Sequence, residues 1–168
     1  MKPIPTTVIR HAKERIAKCS LRFLHDRPEM KFLRSKPGFL FDATGFILLA
    51  VDAPPLTIAD SERPLLLLDS TWRWLPQLMA CVRGAPVLRS IPGGLKTAYP
   101  RASKVFEDPE AGLASIEALY VARQILGDDD PSLLDGYHWK EAFLAGLKDG
   151  ALAADGRPSR YPPRPPGL

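Results

Sequence analysis

The feature that most constrains the fold is a run of four leucines at residues 65–68, which ends abruptly in Asp69, Ser70, Thr71 and Trp72. A run this short cannot cross a bilayer, which needs about 20 apolar residues. It is typical of a buried strand in a parallel sheet. Because ligands of open α/β sheets bind at the carboxyl ends of the strands, we expect Asp69 and Trp72 to lie at the mouth of a ligand site.

The composition is that of an ordinary globular protein. The 168 residues are 45% hydrophobic and 25% charged, which suits one domain or two small lobes that share a core. The N-terminus has no apolar secretory segment. The two cysteines, Cys19 and Cys81, lack metal-ligand spacing. We therefore expect a cytoplasmic protein without a membrane span or a bound metal.

Positive charge is concentrated in the N-terminal part of the chain. Residues 1–36 carry ten basic and three acidic side chains, a net charge of +7 in a chain whose total is +4. A second basic cluster contains Arg89, Lys96, Arg101 and Lys104. Such clusters suit the phosphate backbone of a nucleic acid, although a solvated surface with scattered basic residues would look the same in sequence.

The N-terminal half reads as alternating strands and short helices. Strands are predicted at residues 6–9, 39–42, 45–51, 64–68 and 86–88, with a brief helix at 57–62. The basic segment 11–24 is expected to be a loop with a helix. Apolar positions from Trp72 to Val82 have helical spacing, which requires Pro76 to lie in the first turn or to kink the helix.

The C-terminal half reads as helical. Ser115 can cap a helix that carries Glu117 in its first turn and ends at Gly127, and a second helix is predicted over residues 132–148. The long loop at 90–110 is a candidate functional loop. We predict an α/β lobe at 1–88, a mainly helical lobe at 89–150 that includes this loop, and an extended or disordered arm rich in proline and arginine at 151–168.

Four blocks of residues, in a fixed order, resemble the motifs of one enzyme family. The blocks are His11 with Cys19-Ser20; residues 45–50 with Ala59-Asp60; Asp69-Ser70-Thr71-Trp72; and Arg89-x-Ile91-Pro92 followed by Ala98-Tyr99-Pro100 and residues 112–119. They are similar to His-Cys-Asp-Pro-Lys-Lys-Cys-Ser/Thr; Gly-x-Val-Leu-Ser-Pro with a later Ala-Asp; Asp-Cys-Ser-Trp; and Arg-x-Leu-Pro, Ala-Asn-Pro and Leu-Ser/Thr-x-x-Glu-Ala. The chain thus resembles the aminocarboxypropyltransferases of small-subunit ribosomal RNA and their DTW-domain relatives, which modify transfer RNA.

This resemblance implies a fold, a cofactor and a reaction. The fold would be SPOUT-like, with a mostly parallel sheet in the N-terminal half, a helical C-terminal half and a trefoil knot. The cofactor would be S-adenosylmethionine. Its 3-amino-3-carboxypropyl group would pass to a ring nitrogen of a uridine or pseudouridine in ribosomal RNA during small-subunit maturation, and methylthioadenosine would leave. We expect the protein to act as a monomer.

The resemblance also implies roles for particular residues. Asp69 would act as a base or orient the substrate, unless it merely caps the next helix. Trp72 would wall the cofactor pocket, unless it packs in the core. The other cofactor-binding candidates are Leu48, Ala50, Leu95, Ala98, Tyr99 and Ser115. Ser115 could also only cap its helix, and Glu117 is interpreted as a helix charge. The RNA-binding candidates are Arg10, Lys13, Arg15, Lys18, Arg22, Arg101 and Lys104, while His11 is expected to contact RNA or to be structural.

Three alternatives to ribosomal RNA aminocarboxypropylation stay open. The same chemistry could act on a uridine of transfer RNA. The chain departs from the family pattern at residues 98–104, so it could also be a non-catalytic RNA-binding or ribosome-assembly protein with the same fold. A methyltransferase of the same SPOUT class is a further alternative.

Overall fold

The computed structural model describes residues 2–91, 95, 97–99 and 113–149, with side chains up to residue 147. The strands are β1 (Thr6–Arg10), β2 (Met30–Arg34), β3 (Phe41–Asp42), β4 (Ile47–Leu49), β5 (Leu65–Asp69), β6 (Val82–Arg83) and β7 (Val87–Arg89). The α-helices are α1 (Leu75–Cys81), α2 (Ser115–Ile125) and α3 (Lys140–Asp149). The arm predicted at 151–168 lies outside the described residues.

Five strands form one parallel sheet in the order β2-β1-β5-β4-β7, and β3 pairs with β6 in a separate parallel pair. The predicted mixed α/β architecture with a mostly parallel sheet is confirmed. The chain leaves β1 towards β2 on one side and leaves β5 towards β7 on the other. The boundary between β1 and β5 is therefore a topological switch point, where ligands of open α/β sheets bind.

The leucine run becomes β5, the central strand of the sheet. Alternate side chains of a strand point to opposite faces. Leu65 and Leu67 accordingly join the main core with α2, while Leu66 packs with Leu78 of α1 in a second core on the other face. Burial of each such side chain contributes about 1.5–3 kcal/mol. A strand covered on both faces needs no polar alternation, which explains the unbroken apolar run.

The other predicted strands are present with different lengths. The strand predicted at 45–51 is shorter, because β4 spans only Ile47–Leu49. The strand β2, at Met30–Arg34, was not predicted. It lies at the edge of the sheet and is mostly partly or fully exposed, so its apolar residues are interrupted by Lys31 and Arg34.

The helical predictions are only partly correct. Pro76 lies in the first turn of α1, and Gly127 follows α2 with a φ of 86°. The segment 11–24 contains two 3₁₀ turns, Ile16–Lys18 and Arg22–Leu24, rather than one helix. The helix predicted over 132–148 is divided into a 3₁₀ helix at Pro131–Leu134 and α3, separated by a turn at Gly136. The 3₁₀ helix Ile58–Asp60 lies inside the predicted segment 57–62.

One continuous core joins the two predicted lobes. Val8 and Ile47 from the N-terminal part belong to the same buried cluster as Ile116, Leu119 and Phe143 from the C-terminal part. The helical half therefore covers one face of the sheet, and the start of α2 is held close to the carboxyl ends of the strands. None of the helices in the described residues is both long and apolar enough to cross a bilayer.

Candidate functional site

Asp69 lies at the carboxyl end of β5, at the switch point and in register with Arg10 of β1. It is 8% exposed. Its Oδ2 accepts hydrogen bonds from Arg10 Nε at 3.2 Å and from Cys19 Sγ at 2.8 Å, and its Oδ1 accepts one from Ser115 Oγ at 3.0 Å. The side chain thus binds three segments that are distant in sequence.

These contacts join three of the four motif blocks. Cys19 and Ser20 belong to the first block, Asp69 to the third and Ser115 to the fourth. Ser20 Oγ also accepts a hydrogen bond from the backbone N–H of Ile116 at 3.2 Å, so the first block satisfies a free donor in the first turn of α2. The sequence placed these blocks in order along the chain, and the fold brings them to one point.

Two capping hypotheses are wrong. Asp69 caps no helix, because α1 begins at Leu75 with Trp74 as its N-cap residue. Ser115 is the first residue of α2 and Ala114 is its N-cap, so the Ser115 hydroxyl is directed to Asp69 instead. Helix-capping rules concern residues that are close in sequence, so they could not predict the contact between Asp69 and Ser115.

The thiol of Cys19 is held in its neutral form. Burial raises its pKa, the nearby Asp69 carboxylate raises it further, and together they bring it to about 12. Cys19 therefore acts as a hydrogen-bond donor to Asp69, and it accepts a hydrogen bond from Arg10 Nη2 at 3.1 Å. A thiol with such a pKa is not a nucleophile at neutral pH.

Arg10 is a structural cation rather than a surface one. It is 4% exposed, and its guanidinium binds Asp69 and Cys19 and lies 5.4 Å from the Phe32 ring centroid. Burial lowers the pKa of Arg10, but the thiol and carboxylate outweigh this and the pKa is raised. Its burial argues against the predicted phosphate contact, because the charge is already paired inside the protein.

Glu117 is buried, contrary to its interpretation as a simple helix charge. It lies in the first turn of α2, as expected, but is 0% exposed. One oxygen accepts from Ala98 N and Tyr137 Oη, both at 2.8 Å, and the other accepts from Thr97 Oγ1 at 2.7 Å and Ala114 N at 2.8 Å. The carboxylate therefore fastens residues 97–98 of the predicted cofactor loop to α2.

A partly exposed apolar surface lies beside these polar contacts. Ala98, Tyr99, Leu49 and Trp139 all pack on the edge of the main core without being buried, and the Tyr99 and Trp139 rings are 5.0 Å apart. Leu95 is 7% exposed and lies in the core itself. The backbone N–H groups of Ala98 and Tyr99 donate to Glu117 and Thr97, so both of these donors are already used inside the protein. The Ala98 methyl group and the face of the Tyr99 ring still offer a ligand apolar surface.

The two candidates at the end of β4 differ in position. Leu48 is 1% exposed and packs in the second core with Leu66 and Leu78, so its side chain does not reach the surface. Ala50 is partly exposed just beyond the strand, where its N–H donates to Arg89 O. The Leu48 side chain is therefore covered by the core, whereas Ala50 lies partly exposed at the edge of the sheet.

Two further motif residues form an ion pair. Arg89 Nε, at the end of β7, donates to Asp60 Oδ2 at 2.9 Å. Burial acts to raise the pKa of Asp60, but the hydrogen bonds from Arg89 and Thr57 outweigh it and the pKa is lowered. This pair fixes the 3₁₀ helix Ile58–Asp60 against the last strand. Arg89, a member of the predicted second basic cluster, is therefore already paired with a carboxylate inside the protein.

The loop after β5 carries two tryptophans with different surroundings. Trp72, the predicted pocket wall, is partly buried. Trp74, which the sequence reasoning did not select, stacks on His11 with a centroid distance of 4.9 Å and an interplanar angle of 6°. His11 is also bound to Gln77 Oε1 through Nε2 at 3.0 Å. The helical spacing had assigned Trp72, not Trp74, to the packing face.

The remaining RNA candidates divide into two groups. The side chains of Lys13, Arg15, Lys18 and Arg22 are exposed, as a phosphate contact requires. Arg101 and Lys104 lie outside the described residues. No group of three or more metal-binding side chains occurs within the ranges that the structure describes.

Comparison with known proteins identifies one fold. The chain is similar to the structure of the SAM-dependent rRNA:acp-transferase Tsr3 from Vulcanisaeta distributa, with a TM-score of 0.65 and 24% sequence identity over 87% of this chain and 80% of that chain. No protein-family model matches the chain, and no curated protein matches it in sequence. The chain thus has the mixed α/β fold of Tsr3.

Proposed function

We propose that the protein transfers the 3-amino-3-carboxypropyl group of S-adenosylmethionine to a uridine or pseudouridine nitrogen in RNA, with small-subunit ribosomal RNA as the target. The observation that carries this proposal is the meeting of Cys19, Asp69 and Ser115 at the switch point. Those residues belong to three motif blocks that resemble the transferase family. The shared fold with a SAM-dependent rRNA:acp-transferase supports the same assignment.

The chemistry of the edge fits this cofactor. Adenine requires an apolar wall, which Ala50, Ala98 and Tyr99 can supply at the edge of the main core. A sulfonium is attracted to the face of an aromatic ring, and Trp72 follows Asp69 on the same loop. When bound, the cofactor supplies a carbon activated by a good leaving group, so the protein has mainly to position the reactants, which can contribute up to about 7–11 kcal/mol.

Asp69 would contribute by accepting a hydrogen bond from the substrate base. A carboxylate offers about four acceptor positions, and three of them are used by Arg10, Cys19 and Ser115. The remaining position could accept the ring N–H of uracil and orient its nitrogen. Removal of that proton in the transition state would make Asp69 a general base, a role worth about 10²–10⁴-fold in rate.

The trefoil knot, the monomeric state and a cytoplasmic location are further parts of the proposal. A knot would enclose the cofactor loop between the sheet and α2, which agrees with the fastening of Thr97 and Ala98 to Glu117. Most of the residues that would complete such a loop, 100–112, lie outside the described range. They include part of the segment that departs from the family pattern.

A double-label experiment tests the proposed reaction. The protein is incubated with total RNA from its own cell and with S-adenosylmethionine labelled either in the methyl or in the carboxypropyl carbons. We expect only the carboxypropyl label to enter RNA, in the small-subunit ribosomal fraction. Label in the transfer RNA fraction would favour the alternative substrate, methyl label would indicate a methyltransferase, and absence of both labels would favour a non-catalytic RNA-binding protein.

A further inference from the structure

The edge of the sheet at the carboxyl ends of its strands, the carboxyl edge, carries two neighbouring cations that the proposed reaction does not explain. Lys13 follows β1 and Arg73 follows β5, and both lie against the ring of Trp74. Lys13 Nζ is 4.4 Å and Arg73 Cζ is 4.6 Å from the ring centroid. Both side chains are exposed, whereas Trp74 is partly buried. We call Lys13, Arg73 and Trp74 the Trp74 cluster.

The ring of Trp74 is itself held in place by its stacking on His11. The backbone N–H of Lys13 donates to His11 Nδ1 at 3.2 Å, and His11 Nε2 is hydrogen-bonded to Gln77 Oε1 at 3.0 Å. His11 is 5% exposed. A buried imidazole stacked on the indole therefore fixes the ring, and the ring fixes the two cations through cation–π contacts.

The two cations are placed close together on one ring. Since both lie near one ring centroid, no more than about 9 Å separates their charges, a distance comparable with the Debye length of about 8–10 Å. No ion pair joins either cation to a carboxylate within the described part of the chain. The nearest acid along these loops, Glu14, accepts a hydrogen bond from Thr71 N at 2.7 Å. Two such neighbouring cations repel each other, and an anion placed between them would relieve that repulsion.

We propose that the Trp74 cluster binds the phosphate backbone of single-stranded RNA beside the reaction site. This inference rests on the proposed function, because it is the closeness of Asp69 that makes RNA the favoured polyanion. His11 N donates to Asp69 O at 3.2 Å, so the loop that bears Lys13 begins where the proposed substrate base would be oriented. A strand held by Lys13 and Arg73 would present its nucleotide to that edge, and Trp74 acts as a positioning residue for the two cations.

Salt dependence of RNA binding tests the inference with a matched control. Lys13→Ala/Arg73→Ala removes two charges at the carboxyl edge, and Lys2→Ala/Arg63→Ala removes the same two residue types, both exposed, near the amino ends of β1 and β5. The probe is a single-stranded oligouridine. Each phosphate contact to single-stranded nucleic acid contributes about 0.7 to the slope of log K against log salt concentration.

We expect the slope of the carboxyl-edge variant to fall by about 1.4, while the amino-edge variant keeps the wild-type slope. Trp74→Ala should weaken binding and leave calorimetric S-adenosylmethionine affinity unchanged. An unchanged slope in the carboxyl-edge variant, or an equal fall in both variants, would overturn the inference. The inference would also be overturned if the wild-type protein bound phosphatidylserine vesicles as tightly as it binds oligouridine and the Lys13→Ala/Arg73→Ala variant lost that vesicle binding.

Failure of this inference can be told apart from failure of the proposed function. If the carboxyl-edge variant keeps the wild-type slope while the wild-type protein transfers carboxypropyl label to RNA, phosphate binding by the Trp74 cluster is contradicted and the proposed reaction is supported. If the slope falls as expected but no label is transferred, phosphate binding by the Trp74 cluster is supported and the proposed reaction is contradicted.

Discussion

At the scale of single residues, Asp69 links the fold to the proposed chemistry. Its partners Arg10, Cys19 and Ser115 come from β1, from the basic segment and from α2. Because the side chains of Arg10 and Asp69 are only 5% and 12% exposed, the loss of one charge leaves the other buried without a partner. Removal of one member of such a pair is strongly destabilising.

Asp69→Asn should therefore lower the free energy of unfolding by about 3–5 kcal/mol. Arg10→Met in the same chain should restore part of this loss, because the unpaired buried cation is then removed. Urea unfolding of the two single variants and the double variant measures the coupling. A loss below about 1 kcal/mol in Asp69→Asn, a value typical of exposed ion pairs, would contradict the buried network.

Cys19 should resist alkylation at alkaline pH, since folding raises its pKa from the usual 9.0 to about 12. A pKa raised by folding favours the folded state fully below pH 9.0, and this contribution is lost as the pH rises towards 12. We expect iodoacetamide at alkaline pH to label the partly exposed Cys81 first, as measured by mass spectrometry. Unfolding in urea should equalise the two rates. Equal rates without urea would show that Cys19 is accessible and ionised.

At the scale of elements, the sequence predicted those strands and helices whose residues form a clear local pattern. β5 follows from an apolar run with a polar end, α1 from helical spacing with Pro76 in its first turn, and the end of α2 from Gly127. The strand β2 was missed because an edge strand with exposed Lys31 lacks a clear pattern. The second helix was predicted as continuous because apolar spacing persists through the turn at Gly136.

The same limit applies to the candidate site. Asp69 and Ser115 were selected from sequence, but their contact joins residues that are 46 positions apart, and no local rule predicts such a pair. Glu117 was interpreted as a helix charge because its partners Thr97, Ala98 and Tyr137 come from segments on both sides of it in sequence. Long-range hydrogen bonds thus account for the part that the sequence did not predict.

Glu117→Gln tests how α2 holds the predicted cofactor loop. Glutamine has one acceptor oxygen where glutamate has two, so either Ala98 and Tyr137 or Thr97 and Ala114 lose their acceptor. A buried unsatisfied donor costs about 1–3 kcal/mol, and the amide of Ala98 or Ala114 should exchange faster with solvent deuterium. Glu141→Gln, which is exposed in the first turn of α3, is the matched control. Unchanged amide exchange in Glu117→Gln would contradict the proposed fastening.

At the scale of the whole molecule, the parallel sheet explains why one edge collects the functional residues. Every described strand pair is parallel, so the carboxyl ends of β1, β5, β4 and β7 all meet at that edge. The apolar surface near Tyr99, the buried Asp69 network and the Trp74 cluster all lie beside it. The expected division of labour is a cofactor held against the main core and RNA held by the two exposed cations.

The identity of the small-molecule product tests this account most directly. The protein is incubated with S-adenosylmethionine, with and without small-subunit ribosomal RNA that lacks the modification, and the products are identified by mass spectrometry. We predict methylthioadenosine in proportion to the RNA present and a matching gain of one aminocarboxypropyl group in the RNA. Formation of S-adenosylhomocysteine, or no product with RNA that is bound by the protein, would contradict the assignment.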